Sequence, residues 1–338
     1  MILRSTGLLA LACLAAGGAG AQPSGDVPVD PWDQIKTMTR GVNIIGYDPM
    51  WKDFSRARFQ ERHFQRIHEG GFQTVRINLQ AFSHMDAGNR LDPAWFRTLD
   101  WAVNHALANQ LTVILDEHDY NECGDNAAAC KPKVMAFWEQ VSEHFKDAPA
   151  SVLFEILNEP NHQITAEVWN GWIVEAVKVI RKTNPRRNVV IGPAFWNNIS
   201  YLDKLELPDA DRNIVVTVHY YAPMNFTHQG APWSEATAHL SGITWGTDAE
   251  KRKVEEDFGK VQQWSKLHNR PILLGEFGAY DGGGADIDSR VRYTSHVART
   301  AESLGWAWTY WQFDSDFIVY DIAKDDWVRP IWRALIPE

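Results

Sequence analysis

The sequence predicts a single-domain (β/α)8 barrel, and three observations carry that expectation. Eight short runs are almost continuously apolar, as strands buried on both faces must be. Between them lie stretches whose apolar residues recur at three and four positions, the period of an amphipathic helix. Polar and charged residues then gather at the carboxyl ends of the apolar runs, the end where this barrel builds its sites. No internal repeat or low-complexity linker divides the 338 residues.

Residues 1–21, "MILRSTGLLALACLAAGGAGA", carry Arg4, an apolar stretch from Leu8 to Ala16 and small residues up to Ala21. That pattern reads as a secretory signal peptide cleaved near Ala21, too short for a membrane anchor. A secreted or periplasmic protein is expected. Residues 22–34 are polar and proline-rich at first and read as a mobile lead, with the folded domain over 35–338. Loss of Arg4 takes the formal charge from −10 to −11. An acidic surface of that kind does not suit a nucleic-acid partner, which needs clustered Lys and Arg.

The strands are expected at 41–45, 72–78, 111–117, 151–159, 188–192, 213–221, 271–278 and 306–313. Helical spacing covers 93–110, 166–183, 250–269 and 289–305; Trp169, Trp172, Ile173, Ala176 and Val177 illustrate it. Strand-then-helix eight times is what the closed barrel requires. A doubly wound open sheet would announce a glycine-rich first turn, and "GVNIIGYDP" is not one. In the fourth run, "LFEILNEP", Pro160 cannot donate to a sheet ladder, so Glu159 is expected at the strand's carboxyl end. Cys123 and Cys130, in "NECGDNAAACKP", read as a disulfide stapling one loop of an exported protein. No spacing calls for a metal or another cofactor.

Strand ends therefore nominate the site. Arg76 and Asn78 end the second strand, Asp116, Glu117, His118 and Asp119 the third, and Asn158 and Glu159 the fourth. His219, Tyr220 and Tyr221 end the sixth, Glu276 the seventh, and Trp311, Gln312 and Asp314 the eighth. Glu159 and Glu276 lie on strands that face each other across the barrel mouth. Paired carboxylates flanking a bond are the machinery of glycoside hydrolysis, one protonated to assist the leaving oxygen and one ionised to attack. Arg76 and the Tyr221 hydroxyl are placed to keep Glu276 charged, with Asn158 and His219 nearer Glu159. Glu155, in phase with Glu159, reads as support inside the barrel, and Asp116 or Glu117 as an orienting partner of His118.

"ILNEP", "HYY" and "LLGEFG", in that order, resemble glycoside hydrolase family 5, the cellulase and mannanase family of (β/α)8 barrels. The resemblance covers about residues 35 to 335. It implies that Glu159 is the acid/base and Glu276 the nucleophile of a retaining endo-β-1,4-glucanase, supported by Arg76, His118, Asn158, His219, Tyr221 and Trp311. Asn158 should hold the 2-hydroxyl of the sugar on the nucleophile. His228 and Trp233, in "HYYAPMNFTHQGAPW", resemble a segment of the endo-glucanase branches, and Trp196, in "PAFWNN", is placed to line the cleft.

Flat aromatics bind the apolar faces of sugar rings at small entropic cost, so Trp311, Trp196 and Trp233 fit a polysaccharide partner. Trp51 and Trp245 are as well explained by packing, and Trp95, Trp101, Trp169 and Trp172, in helices, read as core. His63, His68, His105, His144 and His268 read as surface residues of helices, and "DGGG" (281–284) as a flexible rim. β-1,4-Glucan is the expected substrate, with mixed-linkage glucan, mannan and xyloglucan as alternatives; a non-catalytic carbohydrate-binding barrel is the alternative of another class. The chain is expected to act as a monomer.

Overall fold

The computed structural model describes residues 29–337. The expected leader therefore lies outside the described residues. Eight parallel strands form a closed barrel in sequence order: β1 Arg40–Ile44, β2 Thr74–Leu79, β3 Thr112–Glu117, β4 Val152–Glu155, β5 Val189–Ile191, β6 Ile214–Tyr220, β7 Ile272–Phe277 and β8 Ala307–Tyr310. Pairing of Arg40 with Trp308 and of Gly41 with Thr309 closes β8 onto β1. Every residue of β2, β3, β4, β5, β6, β7 and β8 is buried, the physical reason their sequences show no alternation.

Period-two alternation still operates inside the barrel. Ile114, Leu153, Val190, Val215, Leu273 and Ala307 form an apolar cluster with Ile35 and Met38. One pleat further along, Arg76, Asp116, Glu155, Thr217 and Thr309 are also buried, but polar. The barrel interior is thus greasy at its amino end and charged beneath its carboxyl end.

The expected helices appear as Pro93–Ala108, Ala166–Arg181, Asp248–His268 and Ile287–Ser303, joined by Glu61–Glu69, Ala127–His144 and Arg329–Leu335. Asp92, Thr165, Thr247 and Asp286 cap the first four by accepting from backbone N–H groups. Trp95, Trp169 and Trp172 are core as expected, whereas Trp101 is half-buried.

Five local expectations need correction. Residues 31–34 are not a mobile lead: Pro31–Met38 is a helix capped by Asp30, and its Ile35 and Met38 plug the barrel's amino end. After β5 no full-length helix forms; the short, distorted turn Ala194–Asn197 and the 3-10 turn Ile199–Lys204, which buries Leu202, take its place. Strand β4 stops at Glu155, four residues before Glu159, although Asn158 N still donates to Glu117 O at 2.7 Å. His63 is fully buried, its Nδ1 accepting from Gln60 N at 2.9 Å, because it lies on the inner face of its helix. Within the 281–284 rim, Gly283 is buried and pinned while its neighbours are exposed: a Cβ on it would lie 1.6 Å from Gln229 O, so only glycine allows that contact.

The Cys123–Cys130 disulfide forms, but it joins the helix Tyr120–Asp125 to the start of Ala127–His144 and does not close an open loop. Among the described residues no helix is long and apolar enough to cross a membrane.

Candidate active site

The residues nominated at the strand ends converge on one cleft of about 910 Å3 at the carboxyl face. His118, Asn158, Glu159, Trp196, His219, Tyr221, His228, Trp233, Glu276 and Trp311 all line it. Arg76 lies beneath them with no exposed surface.

Arg76 organises the floor. Its Nε and Nη2 donate to the two Glu155 oxygens at 2.7 and 2.8 Å, and Nη2 also donates to Asn158 Oδ1 at 2.8 Å. Its Nη1 donates to Asn43 Oδ1 and to Glu276 Oε1, each at 2.8 Å. All five guanidinium hydrogens are therefore matched, which a buried cation requires. Asp116 Oδ2 lies 3.1 Å away and meets His118 Nδ1 at 2.6 Å. Glu155 and Asp116 thus fill the supporting places read from sequence. Glu117 instead caps locally, accepting from Asp119 N.

The two candidate carboxylates have different partners. Glu276 receives Arg76 on Oε1 and the Tyr221 hydroxyl on Oε2 at 2.9 Å. Glu159 touches no cation; its Oε1 faces His219 Nδ1 at 2.7 Å. His219 enters the barrel through a bulge between Val218 and His219, and Gly275 makes room for it, since a Cβ there would lie 3.0 Å from His219 Nε2.

One buried cation cannot neutralise Asp116, Glu155, Glu159 and Glu276 together, so protons must remain on some of them. Burial pushes Glu159 up to about 8, with Asp116 and Glu155 adding to the rise and Arg76 opposing it. Burial also raises Glu276, but the Arg76 guanidinium opposes the rise. His118 and His219 are each driven down to about 4 by burial and are neutral at ordinary pH. Of the two glutamates, the one without a cation keeps its proton.

A carboxylate oxygen of Glu159, one of Glu276 and a nitrogen of His219 lie within 4.8 Å of one another. Three such atoms could in principle approach a cation. Each is already committed: Glu159 and His219 to one another, Glu276 to Arg76 and Tyr221.

A family profile described as Cellulase (glycosyl hydrolase family 5) matches residues 35–316. The chain belongs to glycosyl hydrolase family 5. The family-5 chain is 30% identical over 322 residues to Endoglucanase H of Acetivibrio thermocellus, covering 91% of this chain and 34% of that protein. It is 26% identical to Endoglucanase 3 of Fibrobacter succinogenes, covering 86% of this chain and 51% of that one. It thus spans about a third to a half of these curated relatives. Among solved structures, Cel5A of Thermotoga maritima in complex with cellobiose superposes with a TM-score of 0.86 at 37% identity, covering 91% of this chain and 100% of that one. The same protein in complex with mannotriose gives the same TM-score, identity and coverage.

The family-5 cleft also holds residues the sequence reading did not nominate. Tyr47, Tyr120, Phe195, Asp316 and Phe317 line it from the loops after β1, β3, β5 and β8. Their signal was position alone, just beyond a strand's carboxyl end. Trp311 lies parallel to His118, ring centroids 5.5 Å apart and planes 6° apart, with Tyr47 edge-on to it at 6.2 Å. Trp233 is 53% exposed, free to meet a ligand face. Trp51 and Trp245 do not line the cleft: Trp51 donates to Ile45 O at 2.7 Å and stacks on Trp95, and Trp245 packs on Tyr293.

Proposed function

We propose that this chain is a retaining endo-β-1,4-glucanase with Glu159 as acid/base and Glu276 as nucleophile, exported as a secreted or periplasmic monomer. The spacing of the two carboxylates carries the reading. Their nearest oxygens lie within 4.8 Å, in keeping with the about 5–5.5 Å of a retaining pair and short of the about 6.5–9.5 Å of an inverting one.

In the first step Glu276 attacks the anomeric carbon as its bond to the glycosidic oxygen breaks, and Glu159 gives that oxygen its proton. A glycosyl ester on Glu276 results. Glu159, now ionised, takes a proton from water; the hydroxide oxygen bonds to the anomeric carbon, and Glu276 leaves as carboxylate. Arg76 and the Tyr221 hydroxyl hold Glu276 ionised and oriented before attack, which removes an entropic cost from the barrier. Asn158, fixed by Arg76, serves the adjacent 2-hydroxyl.

The family and its endoglucanase relatives support the β-glucan assignment. Trp196, Trp233, Trp311 and Tyr47 supply aromatic faces on several sides of the carboxylates, suited to more than one ring of a polymer. Mannan is the second reading, favoured by the mannotriose complex of the Thermotoga maritima protein. Parallel hydrolysis of carboxymethyl-cellulose, barley β-glucan, glucomannan and xyloglucan tests both. Short oligosaccharides from the first two are expected; activity confined to mannan or xyloglucan would keep the chemistry and overturn the substrate.

The acid assignment also sets the alkaline limb. Because the Glu159 proton is lost at about pH 8, kcat/KM should fall tenfold per unit above that pH, with a separate fall in acid as Glu276, which must be ionised to attack, takes up a proton. A limb that stays in place when Glu159 is replaced by Gln would reject Glu159 as its source.

A further inference from the structure

His219 is gripped at both ring nitrogens. On one side Nδ1 meets Glu159 Oε1 at 2.7 Å. On the other, Nε2 lies 3.2 Å from Asn197 Nδ2. Asn197 has no exposed surface and is outside the cleft lining, so it cannot touch substrate directly.

The backbone around Asn197 is unusual. Phe195, Trp196 and Asn197 have φ of 62°, 58° and 50°, three successive left-handed residues without a glycine among them. Such conformations persist only where surrounding structure enforces them. Asn198 forms a parallel bridge to His219, tying the turn to β6. Gly192 completes the seat: a Cβ there would lie 2.3 Å from Asn197 Oδ1. The amide oxygen thus faces the Gly192 α-hydrogen, a weak C–H···O contact, and has no other partner. The reverse amide orientation would press N–H hydrogens against that α-hydrogen, so Nδ2 points to the ring.

An amide nitrogen can only donate. His219 Nε2 must then accept, and the neutral ring carries its one proton on Nδ1. We propose that Asn197 is a positioning residue that fixes this tautomer of His219, so that Nδ1–H donates to Glu159 Oε1 and the acid proton of Glu159 stays on the oxygen that serves the leaving group. The inference rests on the acid/base role given to Glu159 above. In the opposite tautomer Nδ1 would accept. The protonated Glu159 would donate its proton to the ring, away from the glycosidic oxygen. In the hydrolytic step the same Nδ1–H steadies the ionised Glu159 as it takes a proton from water.

The ring nitrogens of His219 in the 15N-labelled wild-type protein test this directly, with His219→Gln used for assignment. Nδ1 protonated and Nε2 unprotonated is the expected result; the opposite pattern overturns the inference whatever Glu159 does. A second test uses Asn197→Gly, which keeps the left-handed backbone without strain and removes the amide. On aryl cellobiosides of graded leaving-group pKa, the variant should stay within about threefold of wild type for the best leaving group and lose about tenfold or more for the poorest, part of what general acid catalysis contributes. A uniform loss, or none, overturns the positioning role. Glu159→Ala serves as control: if its own losses ignore the leaving group, the acid/base reading fails, while the tautomer result stands on the spectrum alone.

Discussion

Replacing Glu276 with alanine is expected to lower turnover on every β-glycan by about 10⁴-fold or more, because no nucleophile remains to form the glycosyl ester. The side chain sits between Arg76 and Tyr221, so its loss leaves a cavity flanked by a cation and a hydroxyl. Azide should enter that cavity and restore part of the rate with an activated aryl glycoside. It attacks from the Glu276 side, so the product should be a glycosyl azide of inverted configuration. Proton NMR of the product reads the configuration. Recovery of activity with retained configuration, or wild-type rates without azide, would reject Glu276 as nucleophile.

The second large effect is on stability. Arg76→Met removes the only guanidinium among Asp116, Glu155 and Glu276, all buried. Breaking a buried ion pair from one side typically costs about 3–5 kcal/mol. For a chain of this size that corresponds to a melting temperature lower by roughly 5–8 °C. The sign of its pH dependence follows from linkage. Burial already raises Asp116 (to about 7), Glu155 and Glu276, with Arg76 opposing the rise. Without Arg76 they rise further, so the variant's folded state binds more protons than the wild type's. The deficit should be small in acid, where these carboxyls are protonated with or without Arg76, and grow as pH rises through their raised folded-state range. Calorimetry at pH 4 and pH 8 checks this. An equal loss at both would mean that Arg76 matters by packing and not by charge.

The strand runs were legible because a parallel barrel buries both strand faces; "TVRINL" and "TVILDE" leave no solvent-facing phase to confuse the reading. The site residues were legible for a related reason. A Glu or His that interrupts an apolar run near its carboxyl end is costly unless something there uses it, and Glu276 in "ILLGEF" is such a residue. Glu159 was harder, since its regular strand ends at Glu155 and the chain reaches the mouth through an irregular stretch. His63 was misread because helical phase separates faces only when the apolar stripe is clear, and "ERHFQRIHE" is polar throughout except Phe64 and Ile67.

What the sequence determined by itself is the set of parts: eight buried strands, two glutamates at opposite strand ends, an arginine and a tyrosine for one of them, and aromatic residues in the loops above. Those follow from periodicity and from the cost of burying polar groups, which are local properties. Which carboxylate keeps its proton was decided only by the tertiary structure. Residues 76 and 276 are 200 positions apart, yet their 2.8 Å contact, and the lack of any such cation on Glu159, separate the two glutamates electrostatically. The same holds for Asn197, silent in the sequence because its meaning lies in a turn of three left-handed residues and in a ring 22 positions away. Charge pairing and tautomer choice depend on distances of a few ångströms between remote segments, and those distances exist only once the barrel has closed.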